Sequence, residues 1–275
     1  MSTAEKGIKR KRTAIVISIV AIALLLLFTL YLVVGVLILG IGGTIIAIAV
    51  LSASDDGKEN GYRYDTMEIN GGCAITYAYG DGEAVVPEEI DGLKVLVIYE
   101  EAFMNDDGLT SITLPSTLTS IDTSAFYGCS SLKEIVIPDT VEYIGDEAFA
   151  MCTSLERATV GHGTRYIGNG AFSDCTSLKE VVLGDHVEEL GMQAFYSCIA
   201  LEKINIPLYM GTIGEFAFFG CEALVDVNFD DVFRWWAGDN LVSSDDLFYD
   251  DKAATFLKET YNSYKWERRL DLPMT

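Results

Sequence analysis

The chain has 275 residues, half of them hydrophobic, and a formal net charge of −22 at pH 7. That charge argues against nucleic acid or an anionic lipid surface as ligand, because both are polyanions. The length suits one or two structural units.

The charge is unevenly placed. Residues 1–12 hold Lys6, Lys9, Arg10, Lys11 and Arg12 against Glu5 alone, which leaves about −26 on the remainder. Residues 13–51 then contain no charged side chain. A secretory signal has an apolar core of only about 7–15 residues, whereas about 20 suffice to span a bilayer. The stretch predicts a retained transmembrane helix. Gly40, Gly42 and Gly43 interrupt it late. A hairpin turning near Gly35 is the alternative, with two limbs of about 17 residues at the lower limit for spanning. The basic tail is expected in the cytoplasm by the positive-inside rule. A single-pass protein of the cell membrane follows, its acidic remainder outside the cell.

Residues 52–62 are polar and predict a linker. Residues 63–91 predict an N-terminal cap. There Met67, Ile69, Cys73, Ile75 and Tyr77 alternate around Gly71 and Gly72, the pattern of a hairpin.

From residue 92 to residue 229 the sequence repeats every 23 residues. Ala-Phe recurs at Phe103, Phe126, Phe149, Phe172, Phe195 and Phe218. Cysteine follows three residues later at Cys129, Cys152, Cys175, Cys198 and Cys221, and leucine three after that at Leu132, Leu155, Leu178, Leu201 and Leu224. A constant period in this range marks a solenoid, whose coils bury one shared core. In one coil, Leu132, Ile135 and Ile137 point inward from a strand that Pro138 ends. Val141 and Ile144 make a second rung. Gly145, Gly168, Gly191 and Gly214 recur after it, with Asp122 at that place in the first coil, and predict a backbone with positive φ or a tight corner. Ala148 and Phe149 begin a short helical turn that closes on Cys152. Stacked coils place parallel strands about 4.8 Å apart, with phenylalanine in one internal column and cysteine in another.

Residues 230–275 lose the period and predict a C-terminal cap. Trp235 and Trp236 cover the last coil, Ser244 and Asp250 offer helix N-caps, Ala253, Phe256, Leu257 and Tyr261 form an apolar stripe, and residues 264–266 add a strand.

The pattern Leu-x-x-Ile-x-Ile with Ala-Phe-x-x-Cys-x-Ser-Leu closely resembles the BspA-like leucine-rich repeats of bacterial surface proteins. The fold class expected is mainly β: a leucine-rich-repeat solenoid of stacked 23-residue coils with short helical turns, capped at both ends and preceded by the transmembrane helix. The resemblance implies adhesion, or contact with a host or cell envelope. The partner expected is a protein or glycan at the cell surface, with the membrane contacted through the N-terminal helix. The alternative is an architectural envelope protein with no specific ligand.

Catalysis is not expected. Five of the six cysteines share one core column, where a free thiol behaves as a small hydrophobe. No C-x-x-C pair points to zinc. His162 sits between Asp139 and Asp185 in a column of turns, with His186 beside it, an arrangement that fits charge compensation without a pocket. Acidic pairs such as Asp106-Asp107, Asp230-Asp231 and Asp245-Asp246 do not fit a calcium loop. No cofactor or metal is expected. The open face of the main sheet alternates in sign along the columns Lys133, Glu156, Lys179, Glu202 and Glu134, Arg157, Glu180, Lys203. Between the inward residues lie Thr113, Val136, Thr159, Val182 and Asn205. With Tyr143 and Tyr166, at equivalent places of adjacent coils, these form the candidate ligand-contact surface.

Overall fold

The computed structural model describes residues 50–51, 63–69, 71–232, 235–247 and 250–269. The basic tail, the linker and the expected transmembrane helix lie outside these residues, apart from a two-residue strand at Val50–Leu51. Among the described residues no helix is long and apolar enough to cross a membrane.

The repeat stacks as a mainly β solenoid. One sheet is made of Glu134–Val136, Arg157–Thr159, Glu180–Val182, Lys203–Ile206 and Asp226–Phe229. All its pairs are parallel, and Arg157 lies opposite Glu134 and Glu180. A second sheet joins Leu93–Ile98, Ser120–Ile121, Tyr143–Ile144, Tyr166–Ile167, Glu189–Leu190 and Thr212–Ile213 in the same register. A step of 23 residues therefore carries each side chain onto its equivalent one coil along. This is why a repeat in sequence becomes a column in space.

The core lies between the sheets and the third side of each coil. Phe103, Phe126, Phe149, Phe172, Phe195 and Phe218 are fully buried. Their rings stack in one file, with centroids 4.8 to 5.5 Å apart. Burying each phenylalanine contributes about 1.5–3 kcal/mol, and an offset aromatic pair adds about 0.5–1.5 kcal/mol.

Two local expectations are corrected. The expected helical turn on the third side is a run of tight turns instead, and helices occur only in the C-terminal cap among the described residues. Ala150 N donates to Glu147 O and Cys152 N to Phe149 O, but Glu147, Phe149 and Met151 donate to Asn169, Ala171 and Ser173 of the next coil. Half of the turn's amides thus go to the neighbouring coil, and no helix ladder can form. The backbone that permits this has positive φ at two places per coil, among them Glu147 (55°) and Met151 (59°). The second correction follows. Positive φ falls on Glu147, Gln193 and Phe216, not on the recurring glycines, nor on Asp122. Gly145, Gly168, Gly191 and Gly214 are required by close approach: a Cβ at each would come within 2.6 Å of the previous coil's backbone.

The caps seal both ends. Arg63–Ile69 and Gly72–Tyr79 form the N-terminal hairpin around Gly71. A bulge between Asp65 and Thr66 shifts its register, so Ala78 is buried and Tyr77 is exposed, although the apolar alternation runs through Tyr77. At the other end Trp235 and Trp266 are buried, and Trp266–Arg268 pairs antiparallel with Thr212–Ile213 and Trp235–Ala237. The first cap helix, Ser244–Leu247, is capped one residue earlier than expected: Ser243 Oγ accepts from Asp245 N at 3.2 Å. Ala253 and Leu257 are buried beneath the second helical segment, and Phe256 and Tyr261 pack against the same core.

Candidate binding surfaces and the thiol column

The main sheet's outer face is built by strand alternation. Ile135, Ala158 and Val181 point in, while Val136, Thr159 and Val182 point out on directly paired rungs. Val136 is 62% exposed and Val182 45%. Thr113 is exposed at the end of the preceding strand, Leu109–Thr113. Asn205 is on the same face but is committed to the backbone. Its Oδ1 accepts from Leu183 N at 2.7 Å and its Nδ2 donates to Leu183 O at 2.9 Å.

Beside this strip the charges pair along the stack. Arg157 meets Glu134 at 2.8 Å, Lys179 meets Glu156 at 3.1 Å and Lys203 meets Glu180 at 3.6 Å, each cation reaching to the coil before it. The Lys179 ammonium holds the Glu156 carboxyl below its ordinary range, and the Glu134 carboxylate pushes Arg157 further up. Lys179→Glu should therefore lower the melting midpoint at low salt, because it removes one attraction and places three carboxylates in one column. About 1 M salt should recover part of the loss, since the screening length there is about 3 Å. A Lys179→Glu midpoint equal to wild type at low salt would show that the column contributes nothing.

On the second sheet Tyr143 and Tyr166 stack with centroids 5.2 Å apart and planes 4° from parallel. Partial burial, with Asp146 nearby, raises both phenols. At the turn column, Asp139 Oδ1 accepts from His162 N at 2.8 Å, and His162 Nδ1 lies 3.2 Å from Asp185 Oδ2. His186 Nδ1 donates to the His162 carbonyl at 2.8 Å. These groups connect one coil to the next. Among the described residues no group of three or more metal-ligating side chains comes together.

The cysteine column does more than fill space. All five thiols are buried and unpaired. Each Sγ donates to the phenylalanine carbonyl one coil back: Cys129 to Phe103, Cys152 to Phe126, Cys175 to Phe149, Cys198 to Phe172 and Cys221 to Phe195, at 3.1 to 3.2 Å. Desolvation pushes Cys175 and Cys198 above the ordinary thiol range and takes Cys221 to about 12. Cys129 is raised by the neighbouring Cys152 thiol and by burial. Nothing in the sequence separates this donor role from simple apolar packing. The one available signal is that the position is cysteine in five of the six coils, Asp106 holding it in the first, where alanine or valine would fill a purely apolar column.

A parallel solenoid whose coils each carry a leucine followed by apolar residues three and five places later, such as Leu132, Ile135 and Ile137 or Leu155, Ala158 and Val160, is a leucine-rich repeat protein. More narrowly, the chain belongs to the BspA-type leucine-rich repeat family. The pattern of the BspA type leucine rich repeat region matches residues 96–225 in six copies. The structure is similar to that of the T. pallidum leucine rich repeat protein TpLRR, at 32% identity over 64% of this chain and 84% of that one, with a TM-score of 0.58. A leucine rich cell surface protein from Faecalibacterium prausnitzii A2-165 is 29% identical over 66% of this chain and 56% of its own, with a TM-score of 0.47. No curated protein matches.

Proposed function

We propose that this protein is held in the cell membrane by residues 13–51 and displays its solenoid outside the cell, where the main sheet binds a protein partner. The observation that carries the binding role is the strip of Val136, Thr159 and Val182. Two exposed valines flank a threonine on a rigid parallel sheet, and the charges around them are already neutralised by their neighbours. An apolar centre with a polar rim is the ordinary anatomy of a protein interface. Membrane attachment rests on the uncharged run and its basic flank. The chain is not an enzyme in this reading.

Detergent-solubilised full-length protein, immobilised and exposed to surface extracts, should retain one partner saturably. Val136→Glu with Val182→Glu should abolish retention without moving the melting midpoint. Retention that survives both substitutions would remove the sheet from the proposal. Protease added to intact cells should digest the solenoid; protection until lysis would overturn the topology.

A further inference from the structure

The third side of the solenoid, the run of tight turns, carries charge of one sign. It comprises residues 99–108, 122–131, 145–154, 168–177, 191–200 and 214–223. These stretches hold Asp or Glu in every coil but one, and no Lys, Arg or His. The repeat's paired cations, Arg157, Arg165, Lys179 and Lys203, lie on or beside the sheets instead. Lys258 of the C-terminal cap reaches only the last coil, where its Nζ donates to the carbonyls of Glu222 and Leu224. Glu101, Glu147 and Asp174 enter no ion pair among the described residues. The sheets relieve repulsion along the stack by alternating sign, and this side does not.

Apolar side chains stand among these carboxylates. Met104 is 38% exposed and Met151 44%. Tyr127 lies between them, one coil after Met104 in the same column. Its hydroxyl donates to Met151 Sδ at 3.0 Å, and its carbonyl accepts from Asn105 N at 2.7 Å. The three make a ridge across successive coils. Glu101 shares a turn with Met104, Glu147 shares one with Met151, and Asp174 follows Met151 by one coil, a step of about 4.8 Å. Carboxylates therefore border the ridge, on turns whose amides are tied to the neighbouring coil.

We propose that this face docks a basic segment of another protein. Its lysine or arginine side chains meet Glu101, Glu147 and Asp174, and an apolar side chain between them lies on Met104, Tyr127 and Met151. Charge names the occupant, since a cationic segment is drawn to this face and a second copy of the face is repelled. Thioethers adapt to differently shaped apolar partners, so composition selects the segment more than one exact sequence does. The face is on a different side from the valine strip and stands or falls independently of it.

Fluorescence anisotropy of short labelled peptides with the full-length protein in non-ionic detergent, read against a detergent blank, tests this. A peptide alternating lysine and leucine should bind with a dissociation constant of roughly 100 μM or tighter. Its glutamate–leucine counterpart should not bind, and a lysine–serine peptide should bind at least about fivefold more weakly. Raising salt from about 0.05 to about 0.5 M should weaken the first about tenfold, because screening shortens the reach of the carboxylates. The variants borrow residues that other coils hold at the same place. Glu147→Gln follows Gln193, at φ 59°, and Asp174→Asn follows Asn105, at φ 58°, so the backbone is kept. With Glu101→Gln added, they should weaken binding about tenfold at a melting midpoint no lower than wild type. Met104→Ser with Met151→Ser, after Ser173 and Ser197, should weaken it at least about fivefold. Val136→Thr with Val182→Thr, after Thr159, should leave it intact. The proposal is overturned if neither set of variants on this face changes affinity, or if the glutamate peptide binds as well as the lysine one. Capture of a protein through the valine strip with no binding of the lysine–leucine peptide would uphold the proposed function and reject this face.

Discussion

Gly191→Ala should unfold or severely destabilise the protein, although it adds a single methyl group. The new Cβ would lie 2.5 Å from the Asn169 amide nitrogen and 2.6 Å from the Gly168 carbonyl carbon. Those atoms belong to the coil before, which cannot move away. Gly191 N donates to Ile167 O at 2.8 Å, and Ala194 N returns to Gly191 O. Separating the coils here would break the ladder and part the stacked rings of Phe172 and Phe195. Forcing one methylene into a packed core costs about 1–3 kcal/mol, and rigid backbone on the other side puts this site at or above the upper end. Gly211→Ala is the control. Its Cβ would find only Glu188 O, at 3.6 Å, which is ordinary contact. That variant should melt within a few degrees of wild type, since a change of about 1 kcal/mol moves the midpoint of a domain this size by about 2–4 °C. Equal midpoints for the two variants would show that the coils separate easily at the glycine column.

The register was legible because it is fixed by long-range order in the sequence. Six Ala-Phe pairs at one spacing leave a single way to stack, and Tyr143 does lie opposite Tyr166. Outward Val136 and Val182 were legible for the same reason, since strand alternation leaves them no other face. The third side was not. Its backbone depends on where each amide donates, and positive φ at Glu147, Gln193 and Phe216 has no residue-type signature. The recurring glycines drew attention as turn formers, yet their reason is a distance to another coil. In the hairpin, one bulge reverses the alternation that the sequence shows, and the sequence carries no sign of it, so the exposure of Tyr77 is visible only in the fold. Asn205 illustrates the limit at the candidate surface. Alternation puts it on the face, but only the fold reveals that both ends of its amide are taken by Leu183.

Reduced protein should lose stability steeply above about pH 9, more steeply than its carboxylates and tyrosines alone would dictate. The cause is the thiol column. Burial holds Cys175, Cys198 and Cys221 protonated in the folded state, the last up to about 12, and Cys129 and Cys152 are raised in the same sense. Once unfolded, each returns to an ordinary value of about 8.5. The folded pKa is therefore the higher one. Its stabilising contribution is complete below pH 8.5 and is lost as the pH rises towards the folded values. In that window the unfolded chain binds fewer protons than the native one, so the free energy of unfolding falls as pH rises. Each thiol contributes a slope of about 1.4 kcal/mol per pH unit, and five acting together give about 7 kcal/mol per unit. A domain is normally stable by only about 5–15 kcal/mol. Unfolding should then be complete within about two pH units of the onset. Urea titrations under reducing conditions at pH 8, 9 and 10 measure the slope directly. Cys175→Ala should start from a lower stability at pH 8, because it leaves a gap and an idle Phe149 carbonyl, yet its slope above pH 9 should be about one fifth shallower. Cys175→Ser should show the same shallower slope with a smaller initial loss, since its hydroxyl retains a donor for Phe149 O. A stability curve that stays flat to pH 10 in the reduced wild type would mean that the thiols ionise inside the folded protein. The column would then be open to water along its length, contrary to the burial on which the stacking rests.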